Sequence, residues 1–231
     1  FRDPLTSAIN SSSGRAFEAV LALSGWELRN LELLRPAARQ MMNEAISIDN
    51  AAGLEYRAVI AARRPYVEAV FGDWVEQHAD QLFRQPPHGH MTFDLTLKWS
   101  RPTPQFFALF RQDLFQAALR HAEHATAWLL IAALNDEPDY TFQTLLGGLR
   151  RDVNAMRSLA RDLPRVVQDV PADAPQLSAA VQCWQELLDA ATSTDLPHEI
   201  LQGLSAWAYV KNVEPQARIE LIARTVHLTG G

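Results

Sequence analysis

The sequence predicts an all-α protein, and three observations carry that reading. Apolar residues recur at spacings of three and four along nearly the whole chain, which is the period of an α-helix. Glycine is sparse, with 10 residues in 231, while proline and Asn/Asp breakers fall at short intervals between the periodic runs. A single segment alternates at period 2, and it has no second strand to pair with. The expected architecture is an irregular helical-pair solenoid or a multi-helix bundle of about a dozen helices. It spans residues 1–231 as a single all-helical domain, with 1–135 and 140–231 as the sub-lobes if it divides.

Each element has its own justification. Asp3 is a good N-cap, and Pro4 fits the first helical position, where a missing N–H costs nothing. Asn10 is read as the cap of a second helix whose first turn, Ser11 to Gly14, carries almost no side chain. Ala16, Phe17, Val20 and Leu21 then form an apolar stripe running on to Leu23. A bare first turn followed by a large apolar stripe suits the close approach of another backbone. Trp26 to Ile48 follows, split by Pro36. Leu54 to Ala62 ends at Arg63-Arg64-Pro65, with the two arginines explained by the helix dipole. Tyr66 to Phe71 and Trp74 to Phe83 come next, the latter with Asp73 as cap and Glu76 at the capping-box spacing.

Arg84 to Met91 is the clearest loop. Phe93, Leu95, Leu97 and Trp99 alternate like a strand, yet Phe93/Leu97 and Asp94/Lys98 also fit helical spacing, and helix is preferred. Gln105 to Ala122 carries a break near Gln112-Asp113. Ala125 to Leu134 is apolar nearly all round and belongs at the centre of a core. Asn135 to Asp139 reads as a polar hinge. Gly147-Gly148 separates Phe142–Leu146 from Leu149–Leu163, and 170–175 is linker-like. Three helices close the chain: Gln176 to Ala191, His198 to Tyr209, and Pro215 to Leu228.

Composition limits the function classes. At 48% hydrophobic and 21% charged, the chain is that of a folded protein and far from a disordered one. Net charge is −6, with 13 Lys+Arg against 14 Asp+Glu in residues 1–125 and 8 against 13 in 126–231. Nucleic-acid binders show a basic excess because phosphate contacts carry most of the affinity, so no nucleic-acid partner is expected. No window of about 18 apolar residues exists, so no membrane span is expected. No signal peptide is visible, and the lone Cys183 suits a reducing cytoplasm. The chain starts at Phe1 without an initiator Met, which points to a piece of a longer or processed protein.

No pattern rises to a catalytic signature. His121-Ala-Glu-His124 places two imidazoles on one helical turn, but a zinc site needs three or four ligands and this is not His-Glu-x-x-His. A solvated polar face is the preferred reading, as a surface loop is for His88-Gly-His90. Cys183 lies between Val181 and Trp184 in an apolar face, where a core role outweighs a catalytic thiolate. Gly147-Gly148-Leu-Arg150-Arg151 lacks the preceding strand of a phosphate loop and reads as a helix joint. Catalytic, cofactor and metal residues are therefore assigned to none. Asn10 and Arg15 are polar in the stretch expected to pack tightest. They cap and brace the helices, with Glu18 as one acid for Arg15, or else they contact a partner; they are the candidate partner-binding residues.

The phrase Asp3-Pro-Leu-Thr-Ser-Ala-Ile-Asn-Ser-Ser-Ser-Gly-Arg-Ala-Phe-Glu-Ala-Val20 resembles one recurring in large bacterial proteins that place an all-helical region behind a sirtuin-like NAD-hydrolysing domain. Those proteins are associated with defence against phage, and similar regions follow other effector or ATPase domains. The closing phrase from Ala217 to Gly231 has the same character. The resemblance implies the sensing or scaffolding part of such a protein, since no Gly-rich strand-turn-helix for a dinucleotide is present. The expected partners are a protein or other domains of a parent chain, with homo-oligomerisation open. The alternative from another class is a small helical enzyme with a His/acid-lined, metal-dependent pocket.

Overall fold

Pro4 opens the first helix where its absent N–H has no intrahelical partner, and the Asp3 carboxylate accepts from the Leu5 and Thr6 amides beside it. The computed structural model describes residues 3–193 and 196–230. It is 76% helical, with fourteen α-helices, one 3-10 helix and no strand among the described residues. The chain divides into two compact units, Phe1–Thr103 and Pro104–Gly231. The division falls at Pro102-Thr-Pro104 and not at the polar hinge Asn135 to Asp139 between the sub-lobes expected from sequence. Tyr140 explains why: it is buried, and its hydroxyl donates to the Phe107 carbonyl at 2.9 Å, which ties the hinge into the second unit.

The first unit holds α1 (Pro4–Asn10), α2 (Ser12–Leu31), α3 (Pro36–Ser47), α4 (Ala51–Ala62), α5 (Arg64–Phe71), α6 (Trp74–Gln77), α7 (Ala79–Phe83) and α8 (Gly89–Trp99). No break separates Leu23 from Trp26; Ser24 and Gly25 are buried within α2, which runs on to Leu31, and the Tyr66 hydroxyl packs against Gly25. Asp73 does not cap α6; its carboxylate accepts from the Gln77 amide instead. Helix α4 is the hub. Ala58, Val59, Ile60 and Ala61 are all buried, and the small Ala58 and Ala61 let Leu95 of α8 and Leu5 of α1 come close. It packs on α1, α2, α3 and α8, whereas a solenoid repeat touches only its neighbours, so this unit is a bundle. Residues 93–99 are helical, because α8 is covered on more than one side: Phe93, Leu95 and Leu97 are all buried.

The second unit holds α9 (Pro104–Leu119), α10 (Ala125–Leu134), α11 (Phe142–Leu149), α12 (Val153–Val166), α13 (Pro175–Thr192), a 3-10 helix (His198–Tyr209) and α14 (Pro215–Thr229). Helix α9 bends at Phe110, two residues before the expected break. The all-apolar α10 is central, with most of its residues buried. Gly147 and Gly148 lie inside α11 and separate nothing; the break comes at Arg150–Asp152, where the Asp152 side chain accepts from the Ala155 amide and starts α12.

The segment His198–Tyr209, expected as an α-helix, is wound as a 3-10 helix. Buried beside Ile200 is a set spaced by three, Leu201, Leu204 and Trp207, continuing at Val210 and Val213. With three residues per turn these stack directly above one another, so the apolar set forms one straight ridge. The segment lies against α12 so closely that a Cβ at Gly203, in the adjacent row, would stand 2.6 Å from the Arg161 backbone nitrogen. Trp207 also stacks on Trp184 of α13, with ring centroids 4.6 Å apart and planes 8° from parallel.

Candidate functional site

The opening stretch folds as a tight corner between α1 and α2. Ser11, not Asn10, caps α2: its backbone is extended, and its Oγ accepts from the Gly14 amide at 2.9 Å. The shift of one residue follows because α1 runs through Asn10, and a cap must be the first non-helical residue. Asn10 is the last residue of α1, exposed, and its Nδ2 donates to the Thr6 carbonyl at 2.7 Å. Arg15 is exposed as well, and its Nε donates to the Ile9 carbonyl at 2.8 Å, bracing the end of α1. Glu18 pairs with Arg63 rather than with Arg15. The structure thus brings Asn10 and Arg15 to one outer corner, each tied back to a carbonyl of α1.

Gly14 sits on the inner side of that corner. A Cβ there would lie 2.2 Å from the Ala8 carbonyl oxygen, so two backbones meet directly. Beyond it Phe17 is buried and packs against Tyr56 with centroids 5.0 Å apart. Val20, expected to fill the space beside Phe17, is 36% exposed. It begins an outward apolar stripe with Leu23 and Trp26, both about half exposed.

Two grooves flank this corner. The first, about 270 Å³, lies between α2 and α3, with Tyr56 of α4 also lining it. Its walls carry Ser13, Ala16, Phe17 and Val20 from α2, Met41, Glu44 and Ala45 from α3, and Ile48 just after α3. The second, about 620 Å³, is lined by Pro4, Leu54 and Met91 together with Asp3 and Glu55. Glu55 marks the boundary: its Oε2 accepts from Ser11 Oγ at 2.7 Å and from Ser13 Oγ at 3.2 Å. Neither lining includes a Lys or Arg. Among the described residues, neither Glu44 nor Glu55 is in an ion pair; Glu44 accepts only from the Gln40 amide.

The chain matches no protein-family model, no curated protein and no solved structure. The functional reading therefore stands on the residues themselves.

The remaining candidates occupy structural positions. His121 and His124 do not share a helical turn, because α9 ends at Leu119; both have positive φ and flank the turn into α10. His121 approaches Asp152 at 3.7 Å and His124 approaches Glu123 at 3.4 Å. Among the described residues, no three His, Cys, Asp or Glu side chains gather as metal ligands would. Cys183 is buried, and burial pushes its thiol up to about 12, far from a reactive thiolate. No described helix is long and apolar enough to cross a membrane.

Two buried arginines escaped the sequence reading. Arg64, explained above by a helix dipole, is fully buried; its Nη1 donates to Glu68 and to Thr103 Oγ1, and its Nη2 to the Arg101 carbonyl. Arg57 is also buried, giving Nη1 to the Gln81 and Leu82 carbonyls and Nη2 to the Ile46 carbonyl. It thereby satisfies orphan carbonyls at the ends of α7 and α3. Burial lowers the pKa of both from the usual arginine value, opposed by Asp49 at Arg57 and by Glu68 at Arg64. The only available signal for Arg57 was its place inside an apolar helix, between Tyr56 and Ala58. Beside Arg57 lies a small polar groove of about 190 Å³, where His88 Nε2 stands 3.3 Å from Asp49 Oδ1.

Proposed function

We propose that this chain is a helical interaction module, a sensor or scaffold that docks a protein partner, within a larger bacterial protein of the phage-defence type. The single observation that carries the docking part is the outward stripe Val20, Leu23 and Trp26 continuing into the groove between α2 and α3. Large apolar side chains grouped on one solvent-facing stripe mark interaction surfaces far more often than scattered ones do. The bacterial, defence-related setting is supported by the resemblance of Asp3 to Val20 and of Ala217 to Gly231 to such helical regions. A cytoplasmic location is supported by the lone, buried Cys183. Asn10 and Arg15, exposed at the same corner as the stripe, are assigned to the rim of the contact. A second copy of the chain is the other occupant this surface admits.

The test uses a photoreactive side chain at Leu23 in the full chain, with one at Gln216 as control, expressed with the parent protein. The module reading expects a single discrete adduct from Leu23 that Val20→Ser weakens, and none from Gln216. Equal labelling from both positions contradicts it. The enzyme alternative is placed at the Asp49–His88 groove, where an imidazole and a carboxylate line one polar cavity. Stoichiometric zinc, iron or manganese in the purified protein, lost in His88→Ala, would favour the enzyme.

A further inference from the structure

We infer that the groove between α2 and α3 receives a third helix, amphipathic and basic along its flanks, supplied by the partner. This rests on the interaction-module reading and gives it a binding mode. The two walls are built alike. Ser13, Ala16, Phe17 and Val20 on α2 follow the offsets 0, 3, 4 and 7, and Met41, Glu44 and Ala45 on α3 follow 0, 3 and 4, with Ile48 just past its end. Those offsets are one ridge of an α-helix, and a trough between two such ridges fits the ridge of another helix. The lining is small at Ala16 and at the buried Ala45, which leaves room for large partner side chains. Met41 adds an adaptable surface, since its flexible thioether reshapes around different neighbours.

The charge decides the partner's chemistry. Glu44 stands on the α3 wall, and Glu55 stands against Ser13 at the groove's end. Both carboxylates accept only from neutral donors, and no Lys or Arg lines the trough. Lys or Arg beside the partner's apolar stripe completes both. A second copy offers fewer: its α2 carries Arg29 beside Trp26, with Arg15 tied to the Ile9 carbonyl, and on α14 Arg218 donates to the Val210 carbonyl and Arg224 to Asp189. An acidic or neutral helix leaves both carboxylates unpaired.

Fluorescence anisotropy on the full chain at 0.15 M salt tests this with three labelled 18-residue helical peptides. One has a Leu stripe flanked by Lys, one a Leu stripe flanked by Glu, and one Ala in place of Leu with the same Lys. The Leu–Lys peptide binds, and the other two bind at least tenfold more weakly. In a chain carrying E44Q and E55Q, Leu–Lys affinity falls about tenfold and its salt dependence flattens, because fewer charges are screened. Gln keeps the acceptor that Ser11 and Ser13 use, so the corner stays folded, as circular dichroism checks. Equal binding of the Leu–Lys and Leu–Glu peptides overturns the inference, as does full affinity in the E44Q/E55Q chain. Concentration-dependent self-association abolished by Val20→Ser also overturns it, in favour of a second copy. If the Leu–Lys peptide binds this groove but Leu23 crosslinks no partner, the module reading fails and the groove's chemistry stands. If Leu23 crosslinks a partner but the peptide does not bind, the reverse holds.

Discussion

Unit Phe1–Thr103 and unit Pro104–Gly231 are both helical, but they distribute polarity in opposite ways. Of the eleven large apolar side chains that stay substantially exposed among the described residues, eight belong to the first unit and three, Tyr209, Ile219 and Val226, to the second. The first unit is close to neutral, 11 Lys+Arg against 12 Asp+Glu, a net of −1. The second carries 10 against 15, a net of −5. Inside, the order inverts. The first unit buries two guanidinium groups, Arg57 and Arg64, that hold loop and helix-end carbonyls. The second closes around stacked Trp184 and Trp207 and joins buried polar side chains from different helices, as Trp184 Nε1 to Thr225 Oγ1 at 3.1 Å. The difference teaches where recognition belongs. A unit that keeps apolar surface in water and lacks strong surface charge is suited to docking, while a charged exterior over a closed core is suited to support.

The largest effects should come from the two interiors, and they should differ in kind. Trp184→Ala removes a stacked, hydrogen-bonded aromatic and is expected to cost about 3–5 kcal/mol, read as a denaturant midpoint. Arg64→Ala is expected to cost a similar 3–5 kcal/mol by leaving Glu68 without its buried partner. Arg64→Met together with Glu68→Leu, which removes both charges, should recover most of that loss. A double variant as unstable as Arg64→Ala would show that the first unit depends on the charge itself.

Glycine substitutions come next and compare one close backbone approach from each unit. Gly14→Ala forces a Cβ against the Ala8 carbonyl oxygen, and Gly203→Ala forces one against the Arg161 nitrogen. Each should destabilise by about 1–3 kcal/mol, as overpacking does. Gly147→Ala meets nothing within 4 Å and should stabilise α11 by up to about 1 kcal/mol. Thermal melts of the three variants separate crossing from propensity.

The smallest effect is a pH dependence confined to the second unit. Glu214 caps α14, accepting from the Ala217 amide at 2.7 Å, and the bonds to Ala217 and Gln216 hold its carboxyl below the usual glutamate range. Its folded value is depressed, so its contribution is fully present above the unfolded value and is lost as pH falls through the folded one. Glu214→Gln should lack that acid-side loss. A wild-type and variant pair with the same acid-side slope would remove Glu214 from the account.

Much of the fold was legible because it is local. Asp3 and Pro4 start α1, Pro36 starts α3, and the apolar run Ala125–Leu134 is buried, each by rules acting within a few residues. The helix His198–Tyr209 was legible but its 3-10 winding was not, because Leu201, Leu204, Trp207 and Val210 at a spacing of three are easily merged with a 3.6 period over so short a run. Other features depend on partners far along the chain. Arg64 looks like a helix-end charge until Arg101 and Thr103 close over it. Val20 fits the Phe17 stripe by spacing, and only the placement of α3 turns it outward into a groove. The 0, 3, 4, 7 wall of α2 and the 0, 3, 4 wall of α3 were visible on each helix separately, but nothing in the sequence set them side by side.

Hydrogen exchange of the full chain with and without the Leu–Lys peptide tests the central claim most directly, because it reads both units in one sample. Slower exchange confined to 12–20, 41–48 and 51–56, with 104–193 and 196–230 unchanged, is the result expected of a docking unit and a supporting one. Slowing within the second unit, with the first unaffected, would contradict it.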